Sequence, residues 1–283
     1  MFYALLLTLQ AVVIHLVWRF RFFRPLQSEP VATIRGVQVL MGFGCYLIFQ
    51  IMLVPFLVNL ILRSFFNSPF SFIKTDIEAQ GWLQVGIVLG GIGAVAAVSY
   101  VLTSVQRKQL WNGANRSWIK HIGMGVLAWL ISAPFILTLH EGLVFLLQVF
   151  FHHANIEQVV VQNMRQFLQF PFLFALLALS VSIFVPITEE FLFRGLLQSW
   201  LKKKLHSSTA AILIASALFA SFHYSTLLGI SNIALLSSLY LFSCMLGYIF
   251  ERENSLWASI GLHGVFNFLN LTNLSFGFFW PLD

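Results

Sequence analysis

Three charged side chains lie inside one of the most apolar stretches of the chain. Residues 186–194 read PITEEFLFR, so Glu189, Glu190 and Arg194 stand among proline, isoleucine, phenylalanine and leucine. On a helix, residues four apart share a face, so Glu190 and Arg194 can form an ion pair. Glu189 points roughly 100° away from Glu190 around the helix axis and has no local partner. A free carboxylate beside such a pair is suited to act as a general base, a role that the ion pair alone does not require.

Two later apolar segments carry polar residues at the same four-residue spacing. FASFH puts Phe219 and His223 on one helix face, and HGVFN puts His263 and Asn267 on one face. One histidine in an apolar helix is more often a structural residue held by a hydrogen bond. Ionisable groups on three successive membrane helices can, however, meet at one depth, and such groups point to function. The candidate site comprises Glu189, Glu190, Arg194, His223, His263 and Asn267.

The composition indicates that lipid surrounds the elements that position these residues. Hydrophobic residues make up 59% of the 283-residue chain and charged residues 9%, whereas soluble domains carry about 25% charged residues. A helix needs roughly 20 mostly apolar residues to cross the hydrocarbon layer, and about eight stretches here qualify. They are residues 1–18, 36–62, 82–103, 121–150, 167–201, 208–223, 231–250 and 256–279. We expect an all-α, polytopic transmembrane bundle of about eight helices in membrane lipid.

Two prolines fall inside predicted helices. Pro134 lies in segment 121–150 together with His140 and Glu141, and that segment is predicted to be broken or kinked. Pro186 precedes the glutamate pair. Because proline lacks a backbone N–H, we expect it to kink its helix or to start a new one at the edge of the candidate site.

Acidic residues are scarce, with ten in the chain. Most are predicted to lie in loops or at the C-terminus, namely Glu29, Asp76, Glu78, Glu157, Glu251, Glu253 and Asp283. The others, Glu141, Glu189 and Glu190, fall within predicted spans, where an ionisable side chain is costly. We assign Glu141 and the adjacent His140 to a polar patch of a kinked or interfacial helix rather than to substrate contact.

The basic residues predict the orientation. The 16 lysine and arginine residues are concentrated in alternate loops, one of which holds Lys202, Lys203 and Lys204. The positive-inside rule then puts this run in the cytosol and both termini on the non-cytoplasmic side. No basic leader precedes the first apolar segment, which is therefore interpreted as a retained helix rather than a cleaved signal peptide. Because the basic residues flank apolar segments, lipid headgroups are favoured over nucleic acid as their partners.

The polar residues within predicted spans are concentrated in the C-terminal part of the chain. We therefore divide the chain into N-terminal accessory transmembrane helices, residues 1–160, and a catalytic transmembrane core, residues 161–283. The compact length and the absence of long tails favour a bacterial plasma (inner) membrane.

The order of the three motifs resembles a known family. Glu-Glu-x-x-x-Arg, Phe-x-x-x-His and His-x-x-x-Asn follow one another within residues 165–275. This order is similar to that of the CPBP family, the CAAX-protease, Abi and bacteriocin-processing family of intramembrane proteases, which includes the Rce1-type endopeptidases. The resemblance implies an endopeptidase that cleaves a membrane-associated protein or peptide, such as a prenylated CAAX-like substrate.

The resemblance also implies a role for each candidate residue. Glu189 is the expected base that activates water, and His223 is expected to help hold that water. His263 and Asn267 are expected to donate hydrogen bonds to the tetrahedral oxyanion. The ion pair of the first motif is expected to orient the site.

A metal is the open alternative. Glu189, His223 and His263 can in principle ligate zinc, which accepts carboxylate and imidazole ligands, and the family has carried a metalloprotease label. These residues lack the tight local spacing of common zinc sites, so a metal-free mechanism without a cofactor is favoured. The zinc signature His-Glu-x-x-His is absent, because HEGLV at 140–144 ends in Val144.

Two other function classes remain. A non-catalytic membrane scaffold or bacteriocin-immunity protein would keep the same polar cluster without cleaving anything. A small proton-coupled transporter would use the carboxylates, but transporters often show paired broken helices, and the break near Pro186 has no convincing counterpart in the first half of the chain. An aspartyl protease is excluded, because Asp76 and Asp283 are the only aspartates and both fall outside the predicted spans.

Overall fold

A computed structural model describes residues 2–27, 29–66, 76–112, 117–152 and 164–276. Within these ranges the chain forms helices and no strand. The main helices are α1 (Phe2–Arg19), α2 (Gly36–Ile48, a π-helical turn at Phe49–Leu53, and Val54–Phe66), α3 (Ile77–Val101), α4 (Ser104–Asn112), α5 (Trp118–Phe151), α6 (Pro171–Leu205), α7 (Ser208–Ser221), α8 (Asn232–Glu253) and α9 (Leu256–Phe276). The prediction of an all-α fold is confirmed.

The helices have the lengths and composition of a polytopic membrane protein. In the described part of the chain, 5 helices are long and apolar enough to cross a bilayer. They are Gly36–Ile61, Ile77–Val101, Trp118–Phe151, Pro171–Leu205 and Thr226–Glu253. Two shorter apolar helices accompany them, Leu7–Arg19 and Ser208–Ser221. The helical membrane bundle is confirmed, and the chain is an integral membrane protein.

Neither proline ends its helix. α5 is continuous over 34 residues with Pro134 inside it, and the carbonyl of Pro134 accepts hydrogen bonds from Thr138 Oγ1 at 2.7 Å and Gln10 Nε2 at 3.1 Å. α6 is likewise continuous through Pro186. The predicted break takes the form of a π-helical turn just before this proline, at Ser180–Phe184.

The bundle is held together by close helix contacts at small residues. Gly125 of α5 packs directly on the backbone of Ala258 in α9, and a Cβ added at Gly261 of α9 would lie 2.7 Å from the Ile122 carbonyl of α5. Small residues let membrane helices approach to this distance. One hydrophobic core runs through both predicted parts of the chain, from Val39 of α2 to helix α9. The division at residue 160 stays a prediction.

The acidic residues at the end of α8 are not in a loop. Glu251 and Glu253 belong to α8 and are 2% and 5% exposed, so their predicted loop placement is wrong. Lys202, predicted in a cytosolic loop, is 1% exposed near the end of α6. Its Nζ donates to Glu251 Oε2 at 2.6 Å, and Arg252 pairs with Glu253 at 2.7 Å. Because these charges are neutralised in pairs, the helices extend beyond their apolar stretches. Of the acidic residues named above, Glu157 and Asp283 lie outside the described residues.

Candidate active site

The ion pair predicted on α6 is present and buried. Arg194 Nη1 donates to Glu190 Oε1 at 3.1 Å, and the two side chains are 1% and 0% exposed. Arg194 Nη2 donates to Ser243 of α8, to Oγ at 2.7 Å and to the backbone carbonyl at 3.3 Å. The guanidinium carbon also lies 4.6 Å from the centroid of the Phe219 ring. A buried cation that is this fully paired ties α6 to α8 and α7.

His263 of α9 is held by the same carboxylate. Its Nδ1 donates to Glu190 Oε1 at 2.8 Å, so this oxygen accepts from both the imidazole and Arg194. Glu190 Oε2 is buried and has no hydrogen-bond partner among the described residues. The rings of Phe219 and Phe242 meet the imidazole edge-on, with centroids 6.0 Å and 5.5 Å away. These contacts fix the ring orientation and direct Nε2 toward Glu189.

Glu189 is the accessible carboxylate of the site. Its side chain is 23% exposed, and His263 Nε2 lies 3.8 Å from its Oε2. This separation is longer than a direct hydrogen bond. Glu189 therefore differs from its buried neighbour Glu190 in the way that the helical spacing predicts.

His223 lies just beyond the end of α7, not within it. Its backbone N–H donates to the Ala220 carbonyl at 3.0 Å, and its Nδ1 donates to the Phe219 carbonyl at 2.9 Å. The centroid of its ring is 4.9 Å from that of Phe219, whose ring also contacts His263. In the described part of the chain no ion pair joins His223 to a glutamate. His223 therefore reaches the cluster through Phe219, with Nε2 uncommitted.

Asn267 is held by a carbonyl that Pro186 leaves free. Val185 N–H donates to the Ser180 carbonyl in the π-helical turn, and Pro186 has no N–H. The carbonyl of Val181 therefore lacks both of its usual helical donors. Asn267 Nδ2 of α9 donates to it at 2.9 Å. One amide N–H of Asn267 thus ties α9 to α6 about two turns before the glutamate pair.

The shortness of α7 explains why His223 can face the cluster. α7 has 14 residues, which extend about 21 Å and fall short of the roughly 30 Å hydrocarbon core. The chain then turns back toward α8, and within a bilayer the free backbone groups of such a turn need partners. Asn232 supplies them, because its Nδ2 donates to the carbonyls of Ser225 at 2.7 Å and Gly229 at 2.9 Å. Gly229 has a φ of +49°, which favours glycine.

Two supporting residues could not be found from the sequence. Ser243 and Asn232 stand in apolar runs without a charged neighbour at helical spacing. Their roles depend on groups brought from α6 and from the turn after α7. No local pattern marks them.

The three candidate zinc ligands do not converge in the part of the chain that the structure describes. Within the described ranges, no three His, Cys, Asp or Glu side chains come together as metal ligands do. Glu189, His223 and His263 are therefore not arranged around one point. The Nδ1 atoms of both histidines are engaged, one by the Phe219 carbonyl and one by Glu190. The zinc alternative finds no ligand set here, and whether the reaction is metal-free stays a prediction.

A comparison with known families identifies the region that carries this cluster. Residues 171–269 match the family described as type II CAAX prenyl endopeptidase, Rce1-like. The match begins at the first residue of α6 and ends within α9, so it contains every candidate residue. No curated protein and no solved structure matches the chain significantly. The resemblance predicted from the motifs is confirmed for residues 171–269, the part of this membrane protein that is similar to the Rce1-like family of CAAX-type endopeptidases.

Proposed function

We propose that the protein hydrolyses a peptide bond within the membrane and that Glu189 is the general base that activates water. The observation that supports this role most directly is the environment of the carboxylate. Glu189 is 23% exposed and faces His263 Nε2 at 3.8 Å, while Glu190 is buried in an ion pair. Substrate and water can reach Glu189 and cannot reach Glu190.

In the proposed reaction, Glu189 takes up one proton from water and later delivers it to the leaving group. Glu189 takes a proton from water as the water oxygen attacks the carbonyl carbon of the scissile peptide. The carbonyl oxygen becomes an oxyanion, and His263 Nε2–H donates a hydrogen bond to it. The C–N bond then breaks, and the proton held by Glu189 passes to the leaving nitrogen. The products are a carboxylic acid and an amine, and the base is regenerated.

The remaining residues of the proposed site position these groups. The Glu190–Arg194 pair holds the imidazole of His263 through Nδ1. His223 is proposed to hold the attacking water through its uncommitted Nε2. Asn267 uses one amide N–H on Val181 and is proposed to donate the other to the oxyanion.

The proposed substrate is a protein or peptide attached to the membrane. Support comes from the printed description of the matched family, a CAAX prenyl endopeptidase, and from the position of Glu189 within the membrane-spanning helix α6. A prenyl chain would anchor such a substrate in the lipid beside the bundle. The membrane itself is the second partner, and no nucleic acid is proposed.

A cleavage assay with matched variants tests this function. We expect purified protein in lipid vesicles to cleave a prenylated peptide that ends in a CAAX sequence, with products identified by mass spectrometry. Glu189→Gln keeps the shape of the side chain and removes the base, so we expect at least a 100-fold loss of kcat. Glu78→Gln on α3 is the matched control and should keep wild-type activity.

The same assay also addresses the zinc alternative. A metal-free reaction should proceed at the same rate with and without a strong chelator. A rate lost with the chelator and restored by added zinc would contradict the metal-free mechanism. Wild-type activity in Glu189→Gln would contradict the assignment of the base.

A further inference from the structure

Helix α2, predicted to be accessory, packs along the part of α6 that carries the site. A Cβ added at Gly36 would lie 3.2 Å from the Trp200 side chain, and Gly42 contacts the side chain of Leu196 directly. The same added Cβ at Gly42 would lie 3.4 Å from Leu192. Residue numbers therefore rise along α2 as they fall along α6. The two helices run antiparallel, and the contact continues toward the glutamate pair.

The next contact along α2 lies beyond Tyr46. A Cβ added at Gly91 of α3 would touch both Gln50 of α2, at 3.4 Å, and Thr188 of α6, at 3.1 Å. Tyr46 stands four residues after Gly42 and four before Gln50, so it shares their helix face. Its level on α6 therefore falls between Leu192 and Thr188, which is the level of Glu189.

Two further observations agree with this position. The phenol of Tyr46 lies close enough to Glu189 for the two groups to interact electrostatically. One turn earlier, Phe43 packs on Phe193 and on Phe222, at centroid distances of 5.3 Å and 6.2 Å. Phe222 is the residue before His223. The same face of α2 therefore packs against α6 and against the end of α7, next to His223.

The hydroxyl of Tyr46 is not committed elsewhere. The side chain is half-buried, and the hydroxyl has no hydrogen bond to any residue that the structure describes. It makes no direct hydrogen bond to Glu189, although the two residues lie at the same level of the contact between α2 and α6. A donor without another partner at the level of the base is suited to bind the oxygen of a carbonyl group that is attacked there.

We propose that Tyr46 is a further catalytic residue, whose hydroxyl donates a hydrogen bond to the oxygen of the scissile carbonyl as it becomes an oxyanion. This inference rests on the proposed function, because it needs a peptide carbonyl beside Glu189. It assigns a chemical role to helix α2, which carries none of the three sequence motifs. It also supplies a donor in addition to His263, while Asn267 has one amide N–H committed to Val181.

Tyr46→Phe tests the proposal, because it removes the hydroxyl and keeps the ring. In the vesicle assay with the prenylated CAAX peptide, we expect kcat to fall about 100-fold, as for loss of one oxyanion donor. We expect KM and the thermal unfolding temperature to stay near wild type. Tyr100→Phe is the matched control, since Tyr100 is exposed at the end of α3, and it should keep full activity.

A binding measurement separates catalysis from a structural role. In the inactive Glu189→Gln background, adding Tyr46→Phe should leave the Kd of the same peptide unchanged. Weaker binding with unchanged kcat, or a lowered unfolding temperature with unchanged kcat, would overturn the donor role. Wild-type kcat in Tyr46→Phe, with Glu189→Gln inactive, would overturn this inference alone. Failure of the wild-type protein to cleave would overturn the proposed function and the donor role with it.

Discussion

Oxygen Oε1 of Glu190 accepts hydrogen bonds from two elements at once, from Arg194 on its own helix and from His263 on α9. Inside a membrane, such sharing matters more than in water, because nothing else can solvate the charge. The neighbouring Glu189 has no such bond and is partly accessible. Of the two adjacent carboxylates, Glu190 therefore holds the helices together, and Glu189 stays accessible for the proposed reaction.

This division predicts that substitutions of Glu190 and Glu189 differ in their effect on stability. Glu190→Gln leaves the buried Arg194 without its counterion, and breaking a buried pair costs about 3–5 kcal/mol. Glu189→Gln breaks no hydrogen bond and should leave the free energy of unfolding nearly unchanged. Unfolding of both variants in detergent, followed by circular dichroism, measures the difference. Equal destabilisation by the two substitutions would show that the ion pair is not what stabilises this region.

His223 offers a test of a residue that approaches the cluster indirectly. Its Nε2 is uncommitted, while its Nδ1 donates to the Phe219 carbonyl. We expect His223→Ala to lower kcat by about 100-fold, in the range for a lost acid–base group, and to destabilise the protein by about 1 kcal/mol through loss of that hydrogen bond. The peptide assay and a thermal scan on the same sample measure both. Full activity would mean that water is held by other groups.

At the scale of elements, α6 has to present Glu189 while carrying a proline one turn earlier. The π-helical turn at Ser180–Phe184 accommodates Pro186 without ending the helix, and a second π-helical segment, Phe191–Gln198, follows the glutamate pair. Such turns are common at functional sites because they change which residues face a partner. Here the first turn leaves the Val181 carbonyl free for Asn267.

A double-mutant cycle tests the link between Pro186 and Asn267. Asn267→Leu should destabilise the protein by about 1 kcal/mol, because it leaves the Val181 carbonyl unpaired in the membrane. Pro186→Ala restores a backbone N–H that can reach this carbonyl, so the same substitution should cost less in that background. Equal costs in both backgrounds would contradict the link.

The activity of the same variants separates two roles of Asn267. If Asn267 also donates to the oxyanion, Pro186→Ala will recover stability but not kcat in the Asn267→Leu protein. Recovery of both would show that its role is to position α6.

At the scale of the whole molecule, the predicted accessory and catalytic parts share one core. α2 packs along α6 at Gly42, and α5 packs against α9 at Gly125. Truncation at residue 160 would therefore expose the apolar faces of α6 and α9. The N-terminal helices are part of what positions the site, although the matched family region begins at residue 171.

The orientation of the molecule also belongs to this scale. The basic run at the end of α6 is expected in the cytosol, and the end of α5 on the opposite side. Lys204→Cys and His152→Cys occupy exposed positions at these two ends. In vesicles of known sidedness made from bacterial inner membrane, a membrane-impermeant thiol reagent should label them from opposite faces. Labelling of both from one face would contradict the predicted topology.

The sequence by itself was enough to predict what depends on local spacing and on composition. A membrane bundle follows from the scarcity of charge, and the Glu190–Arg194 pair follows from the helical period, because both are properties of neighbouring residues. The same helical period predicts that Glu189 has no partner on its own helix. The family was recognisable because its motifs are short and lie in order along the chain.

Only the tertiary structure decided the rest, because it depends on groups far apart in sequence or on backbone atoms. The hydrogen bond from His263 to Glu190 depends on the packing of α9 on α6, which local sequence does not reveal. The partner of Asn267 is a carbonyl that proline frees, which no side-chain pattern reveals. The sequence predicts loop positions for Glu251 and Lys202, and their burial is explained by the ion pair that they form between α8 and α6. Where the partner of a buried charge lies far away in the sequence, only the tertiary structure identifies it.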